Sequence, residues 1–495
     1  MKIGFNSLIR AKPYLISFLI GLYILARPQI ITAQAPIVSG QADKIYEQHH
    51  QAVVIIMTYD QDAKYIGKGS GFIVRSDGAI MTNLHVLNDA VSIKVKIAKD
   101  KYLEAEGILY SDAANDLVIL KAKGENLPIV KLGDSDKIKL GENVYVVGSP
   151  GGLENSIITD GVIIGRQEMG WNQKGIQIST PVSHGSSGSP VFNEAGEVIG
   201  VVASISMLTD LQSLNFAVPI NIIKNKVSEK KITSMEKFAE DFSTSAYSRN
   251  FQGDYLYENG KYKEAIESYQ EAIRIKPDYV QAHCNLGDAY KKSGEFPKAI
   301  ESYKEAIRIK PDYVQAHYNL GNAYRKSGEF PKAIESYKQA IRIKPDYVQA
   351  YYNLGNAYYE SEDYPKAIES YKQSIRIKPD ADAHCNLGNT YYESGDYPKA
   401  IESYKQAIRI KPDYVQAYCN LGKAYYESGD YPKAIESFKQ AIRLKPDLAD
   451  AHYGLGVSYL LISNRNSALE EYKIIKELDK ELAEDLLAKI NGAGK

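Results

Sequence analysis

Three short segments in the first half of the chain hold residue types suited to nucleophilic and acid–base chemistry. They are Met81-Thr82-Asn83-Leu84-His85-Val86, Asn115-Asp116-Leu117-Val118-Ile119-Leu120 and Gly185-Ser186-Ser187-Gly188-Ser189-Pro190. A serine hydroxyl is a weak nucleophile unless a base removes its proton during attack. Imidazole titrates near neutral pH without heavy perturbation, which makes His85 a candidate base. A carboxylate on the other ring nitrogen would fix the tautomer and stabilise the imidazolium as it forms. Asp116, Asp112 and Asp89 compete for that role, and His49, His50 and His184 compete with His85. His49 and His50 precede the first strand, and His184 lies close in sequence to the serines. Of the three serines, Ser187 stands in a Gly-x-Ser-Gly frame, where Gly188 opens backbone angles closed to other residues.

The elements that position these residues read as short β-runs punctuated by glycine: Val53–Thr58, Gly71–Val74, Val91–Ile97, Leu117–Lys121, Val144–Gly148, Ile176–Thr180 and Val198–Ser204. No long amphipathic helix is expected before Ile220–Glu229. Many short strands at regular spacing imply an all-β sandwich or barrel.

In the order His, Asp, Ser, the motifs resemble those of the chymotrypsin-fold serine peptidases, and the short cysteine-free barrel resembles the bacterial HtrA branch. Gly69-Ser70-Gly71-Phe72, Leu132-Gly133-Asp134-Ser135-Asp136, Val147-Gly148-Ser149-Pro150 and Asn215-Phe216-Ala217-Val218-Pro219 agree with it, so the resemblance spans roughly residues 45 to 225. It implies an all-β double barrel with His85 as base and Ser187 as nucleophile. Asp116, which directly precedes an apolar strand, becomes the partner of His85. The backbone N–H groups of Gly185 and Ser187 become the oxyanion donors, and Pro181, Val182, Leu214, Asn215, Phe216 and Ala217 form the substrate-binding wall. The pocket base near Pro181 and Val182 carries no carboxylate, so a trypsin-like Arg/Lys preference is not expected. A small or medium aliphatic side chain fits better. Val182 also stands where the glutamyl endopeptidases have threonine, so no glutamate preference is carried over. HtrA-type enzymes usually place a PDZ domain after the barrel, whereas helical repeats follow here.

Those repeats are read from a period. Lys-Pro-Asp recurs with prolines at 277, 311, 345, 379, 412 and 446, spaced by 34, 34, 34, 33 and 34 residues. Within a period, Leu320, Gly321 and Tyr324 share one helix face, Ala333, Tyr337 and Ala340 line a second helix, and Pro345 ends it. This pattern resembles the tetratricopeptide repeat, over about half the chain. It accounts for the excess of tyrosine, 39 against 11 phenylalanines and one tryptophan. We count seven repeats over 246–482, followed by a capping helix and tail over 483–495. Late in each first helix the repeats carry Lys291-Lys292 and Arg325-Lys326, then Tyr359-Glu360, Tyr392-Glu393 and Tyr426-Glu427. If these positions face the concave side, the groove is basic near the barrel and acidic with aromatics beyond. Cys284, Cys385 and Cys419 share one groove-lining position, and His283, His317, His384 and His452 share the neighbouring one as packing residues. Neither set has metal-ligand spacing, and no metal or cofactor is expected.

A chain of 495 residues exceeds one hydrophobic core. Sixty basic and 61 acidic residues give a net charge of -1, which excludes a strongly basic nucleic-acid binder. Three cysteines argue against a disulfide framework. Lys2, Arg10 and Lys12 precede an apolar run from Tyr14 to Ala26, and Ala33-Gln34-Ala35 resembles a cleavage site. This is the layout of a secretory signal over residues 1–35. The run is shorter than the roughly 20 residues of a membrane span; left uncleaved, it would be the chain's membrane contact. The expected order is thus signal peptide, peptidase domain over 36–229, a Lys/Glu/Ser/Thr-rich linker over 230–245, then repeats. The expected function is an exported serine endopeptidase, periplasmic or otherwise extracytoplasmic in a bacterium, whose repeats recruit protein substrates or assembly partners. The alternative is a binding scaffold with a weakly active or silent barrel. The intact His, Asp and Ser favour the first, and an oligomer is compatible with either.

Overall fold

Alternating β-branched residues drive the first half into two closed barrels. The computed structural model describes residues 40–87, 90–98, 101–148, 156–169, 173–182, 185–203 and 215–492. The signal segment, Leu214 and the competitors Asp89 and His184 lie outside these residues. Strands β1 (Val53–Tyr59), β2 (Tyr65–Arg75), β3 (Ala79–Asn83), β4 (Ser92–Ala98), β5 (Lys101–Asp112) and β6 (Leu117–Ala122) close in the order β1-β2-β3-β6-β5-β4. Every neighbouring pair is antiparallel, and β4 returns to β1. After β7 (Lys131–Leu132), a second ring follows, formed by β8 (Asn143–Gly148), β9 (Ile157–Met169), β10 (Gln173–Ile178), β11 (Pro190–Phe192), β12 (Glu197–Ala203) and β13 (Asn215–Pro219). It closes as β8-β9-β10-β13-β12-β11, with β7 lying parallel along β12.

The two-residue period of a strand explains how the barrels join. On β6, Val118 and Leu120 point into the first barrel with Ile56, Ile73 and Ile80. Leu117 and Ile119 point the other way, into a shared layer with Phe72 and Met81 of the first barrel and Tyr145, Val147, Phe192 and Val201 of the second. Both faces of β6 are therefore apolar, and the motifs of His85, Asp116 and Ser187 lie around this seam.

Three expectations need correction. A helix, α1 (Gly40–His49), precedes β1 and buries Ala42 and Ile45. Ile220–Glu229 is not a long helix but contains two short 3-10 turns, Ile220–Ile222 and Lys224–Lys226. Asn221 anchors the start of this segment: its Nδ2 donates to Asp134 Oδ1 at 2.8 Å and Asp136 Oδ2 at 2.9 Å, and its N–H to Ser135 Oγ at 3.2 Å. Finally, the segment read as a linker is welded to the first barrel. Within it β14 (Thr233–Ser234) pairs with β5, and α2 (Met235–Ser243) buries Met235, Phe238 and Phe242 in the barrel's cluster. Their spacing makes one helical stripe, hidden among charged neighbours.

The second half is a helical solenoid. The first hairpin is α3 (Ala246–Glu258) with α4 (Tyr262–Ile275). Six more follow, from Val280–Lys292 with Phe296–Ile309 to Ala449–Leu461 with Arg465–Leu478, and the terminal helix Lys480–Gly492 covers the last. The repeat glycine has a steric reason: a Cβ on Gly321 would stand 2.6 Å from the Tyr337 ring. A buried polar ladder runs along the stack. The Tyr269 hydroxyl donates to Asp254 at 2.7 Å, and Asn285 Nδ2 of the next hairpin donates to the same carboxylate oxygen at 2.7 Å. Tyr303 and Asn319 meet Asp288 alike, as do Tyr337 and Asn353 on Asn322. Of the repeat histidines, His283 and His317 reach the carbonyls of Pro277 and Pro311 at 2.9 and 2.8 Å, and His452 reaches Pro446 O at 2.9 Å and also pairs with Glu471 at 2.6 Å.

Burial raises the Asp254 carboxyl to about 8, against partial compensation from Tyr269 and Asn285. A carboxyl whose folded pKa lies above its unfolded value favours the fold while protonated, and that contribution is lost as pH rises through the folded value. Asn stands at this position in later repeats, as at Asn322 and Asn356. We therefore expect Asp254→Asn to be nearly neutral at pH 4 and to stabilise by about 1–3 kcal/mol at pH 8. Denaturant unfolding at both pH values checks this; a gain that shrinks with rising pH contradicts it.

Candidate active site

Asp116 is held in an uncommon backbone state. Its φ is +49°, in the left-handed region that costs a non-glycine residue on the order of 1 kcal/mol. The surroundings fix it there: its carbonyl accepts Leu84 N–H and Asn83 Nδ2, each at 3.0 Å. The residues from Leu84 to Leu87 form a single 3-10 turn that carries His85. The Asp116 side chain grips the same turn, with Oδ1 accepting His85 N–H at 2.8 Å and Oδ2 lying 2.5 Å from His85 Nδ1. Burial disfavours the imidazolium, but the charge of Asp116 and the hydrogen bond to it outweigh burial, so His85 is raised above its ordinary 6.5.

The serine loop is bracketed to the first barrel through Ser70. Ser70 N–H donates to Ser187 O at 2.9 Å, Ser70 Oγ to Gly185 O at 2.8 Å, and Thr82 Oγ1 to Ser70 O at 2.7 Å. Gly188 N–H donates to Val202 O at 3.0 Å, tying the same loop to the second barrel. Thr82 precedes His85 by three residues, so the bracket joins the Ser187 loop to the His85 turn. Gly185 and Gly188 both have positive φ, +98° and +85°. A Cβ at Gly188 would stand 2.1 Å from Ser70 O and 2.3 Å from Thr82 Oγ1, which is the physical reason for glycine there. Ser187 retains 9% exposure, whereas Ser189 has none.

The competitors are occupied elsewhere. Asp112 accepts Asn115 Nδ2 at 2.5 Å, His49 stacks on Phe192 with centroids 4.7 Å apart, and His50 Nδ1 lies 2.9 Å from Tyr46 O. Of the expected wall, Pro181 is exposed and Val182 packs on the second barrel's core. Asn215 Nδ2 braces it by donating to Thr180 O at 2.7 Å. Phe216 and Ala217 depart from the expectation. They are buried in β13 between β10 and β12 and form the wall's interior rather than an open surface.

Two residues missed in the sequence reading contact the dyad from the solenoid. The Tyr247 hydroxyl donates to Asp116 Oδ1 at 2.9 Å, and the Phe251 ring lies over His85 with centroids 6.3 Å apart and planes 16° apart.

The groove residues are also more coupled than their types suggest. Lys291 Nζ pairs with Asp288 at 2.6 Å, and Arg325 pairs with Glu360 of the next hairpin at 2.5 Å. The expected step from basic to acidic is thus bridged at its boundary, beside a pocket of about 280 Å³ lined in part by Arg325, Tyr359, Glu360 and Tyr371. Lys292, Lys326, Glu393 and Glu427 are exposed. Tyr392 and Tyr426 are half-buried against Tyr397 and Tyr431, at 5.5 and 5.8 Å.

The double barrel and the His85–Asp116 geometry are those of a trypsin-like peptidase domain, joined here to tetratricopeptide repeats. A family model described as trypsin-like peptidase domain matches residues 69–201, and one described as TPR repeat matches six stretches between 253 and 462. The chain is similar to the putative serine protease HhoB of Synechocystis sp., 39% identical over 36% of this chain and 43% of that protein. It is 40% identical, over 31% of its length, to 33% of the probable periplasmic serine endoprotease DegP-like of Pseudomonas putida strain GB-1. The chain thus spans less than half the length of either relative. Among solved structures, the HtrA-type protease AlgW with tripeptide matches 37% of this chain and 61% of that one, at 28% identity and a TM-score of 0.34.

The geometry makes two expectations measurable. Histidine NMR should place the His85 midpoint above 6.5, and Asp116→Asn should bring it below 6.5, because burial then acts without the opposing charge. A midpoint unmoved by the substitution contradicts the pairing. Gly188→Ala should cut labelling of Ser187 by a fluorophosphonate at least about tenfold while the far-UV spectrum is kept, since the loop has no room for a methyl group. Full labelling of that variant would show that the loop tolerates displacement.

Proposed function

We propose that this chain is an exported serine endopeptidase, with a helical superhelix that recruits its protein substrates or partners. The observation that carries the reading is the His85–Asp116 dyad, held by two side-chain contacts and fastened through Ser70 and Thr82 to the Ser187 loop. In the proposed reaction Ser187 Oγ attacks the scissile carbonyl and its proton passes to His85 Nε2. Asp116 keeps Nδ1 protonated and stabilises the imidazolium. The N–H groups of Gly185 and Ser187 receive the oxyanion. His85 then protonates the leaving amine, and water releases the acyl group by the same route.

A neutral wall at Pro181 and Val182 supports cleavage after small or medium aliphatic residues. The groove pocket, with one cation, one anion and two tyrosines, suits an extended peptide bearing mixed polar side chains. Export is supported by the basic, apolar and small-residue succession of the first 35 residues and by relatives named as periplasmic. No helix among the described residues is long and apolar enough to cross a membrane.

Ser187→Ala in the purified full chain is expected to abolish casein and peptide hydrolysis with unchanged thermal stability; unchanged turnover sinks the assignment. Asp116→Asn, whose side chain tolerates the same left-handed backbone, should lower kcat by about 10⁴ through the wrong imidazole tautomer. If Asp112→Asn were the damaging change instead, Asp116 would be misassigned.

A further inference from the structure

Helix α3 touches the candidate catalytic dyad and the solenoid's polar ladder with one face. Tyr247, Phe251 and Asp254 follow at i, i+4 and i+7, which places them along one stripe. Tyr247 is 6% exposed, and its hydroxyl reaches Asp116 Oδ1 at 2.9 Å. One turn on, Phe251 lies parallel over His85. A further turn on, Asp254 accepts from Asn250 Nδ2 at 3.0 Å, besides Tyr269 and Asn285.

The sequence marks these contacts as particular to the first hairpin. At the second position of their first helices the other hairpins have polar residues, as at Gln281, Gln315 and Asp382, and at the sixth most have Asn, as at Asn285 and Asn319. Inside the solenoid those side chains serve the stack: Tyr313 donates to Gln281 at 2.6 Å, and Tyr347 to Gln315 at 3.3 Å. An aromatic face and a long hydroxyl arm suit packing on the barrel and reaching a buried carboxylate, and the first hairpin has Tyr247 and Phe251 at these two positions.

We propose that Tyr247 is a positioning residue of the catalytic centre, supplied by the repeat domain. It holds the Asp116 carboxylate in line with the imidazole while Phe251 packs one face of that ring. The proposal rests on the peptidase reading and adds to it a part of the site lying beyond the peptidase domain. Asp116 Oδ1 takes two donors, the His85 N–H and the Tyr247 O–H, and Oδ2 takes the imidazole. Rotation of the carboxylate would break all three bonds together. Without the hydroxyl, one restraint is lost, and the carboxylate charge, less shared, pulls harder on the imidazolium proton. Among the described residues, the ionisable groups that act on Tyr247 beside Asp116 are Tyr279 and Asp254 of the solenoid; both stay in place when only the Tyr247 hydroxyl is removed.

The test compares Tyr247→Phe with Tyr269→Phe in the full chain. Tyr269→Phe is the matched control, because it deletes a buried tyrosine–carboxylate bond on Asp254 away from His85. For Tyr247→Phe we expect kcat on a peptide substrate to fall about tenfold with KM within about twofold. Its His85 NMR midpoint, measured in a Ser187→Ala background, should rise by a few tenths of a pH unit. Tyr269→Phe should leave both readouts unmoved. The proposal is overturned if Tyr247→Phe keeps the wild-type midpoint, or if both variants lose kcat equally, which would indicate general loosening. A wild-type chain that hydrolyses nothing would count against the peptidase reading instead, and the His85 titration would still decide the role of Tyr247.

Discussion

The buried pairing of the Asp116 carboxylate with the His85 imidazole is the constraint around which the rest of the site is arranged. A partly buried carboxylate is tolerable only when its oxygens are hydrogen-bonded, and here both are. The cost of the left-handed backbone at Asp116 is offset by the bonds its carbonyl takes from Leu84 and Asn83. The register of β3 against β6 sets Asn83 opposite Leu117 and Thr82 opposite Val118. That one alignment puts Asp116 beside the His85 turn and leaves Thr82 free to fasten Ser70 and, through it, the serine loop.

The same economy extends into the second half. A peptidase barrel and a repeat solenoid joined by a free tether would move independently. In this chain β14 extends the sheet at β5, α2 fills the first barrel's cluster, and α3 continues from there onto the dyad. The solenoid's first hairpin therefore has two neighbours, the barrel and the next repeat. Its residues follow that division: aromatic toward the barrel, and Asn250 and Asp254 toward the ladder.

Much of this was legible in the sequence. The repeats were plain because a 34-residue period copies every packing contact, down to the glycine that admits a tyrosine ring. The His85, Asp116 and Ser187 motifs were plain because their residue types suit nucleophilic and acid–base chemistry and their order matches the family resemblance. The helix at 235–243 was not, because its three apolar residues are diluted by charge and a linker composition masks the stripe. Ile220–Glu229 misled in the opposite sense: its pattern suits a helix, and the chain instead makes two 3-10 turns anchored to 134–136 through Asn221. Phe216 and Ala217 were placed on the wall by resemblance, but pairing of β13 on both sides decides their burial. Tyr247 and Phe251 carried a local signal, their departure from Gln and Asn at equivalent repeat positions, yet nothing in the sequence states which surface the first hairpin meets.

The central claim is that one serine of this chain is made nucleophilic by the His85–Asp116 pair. Its most direct measurement is intact-mass analysis and peptide mapping of the full chain after reaction with a fluorophosphonate. The account predicts one adduct per chain, on Ser187, absent from His85→Ala. No adduct, an adduct on another serine, or one that survives His85→Ala would contradict it.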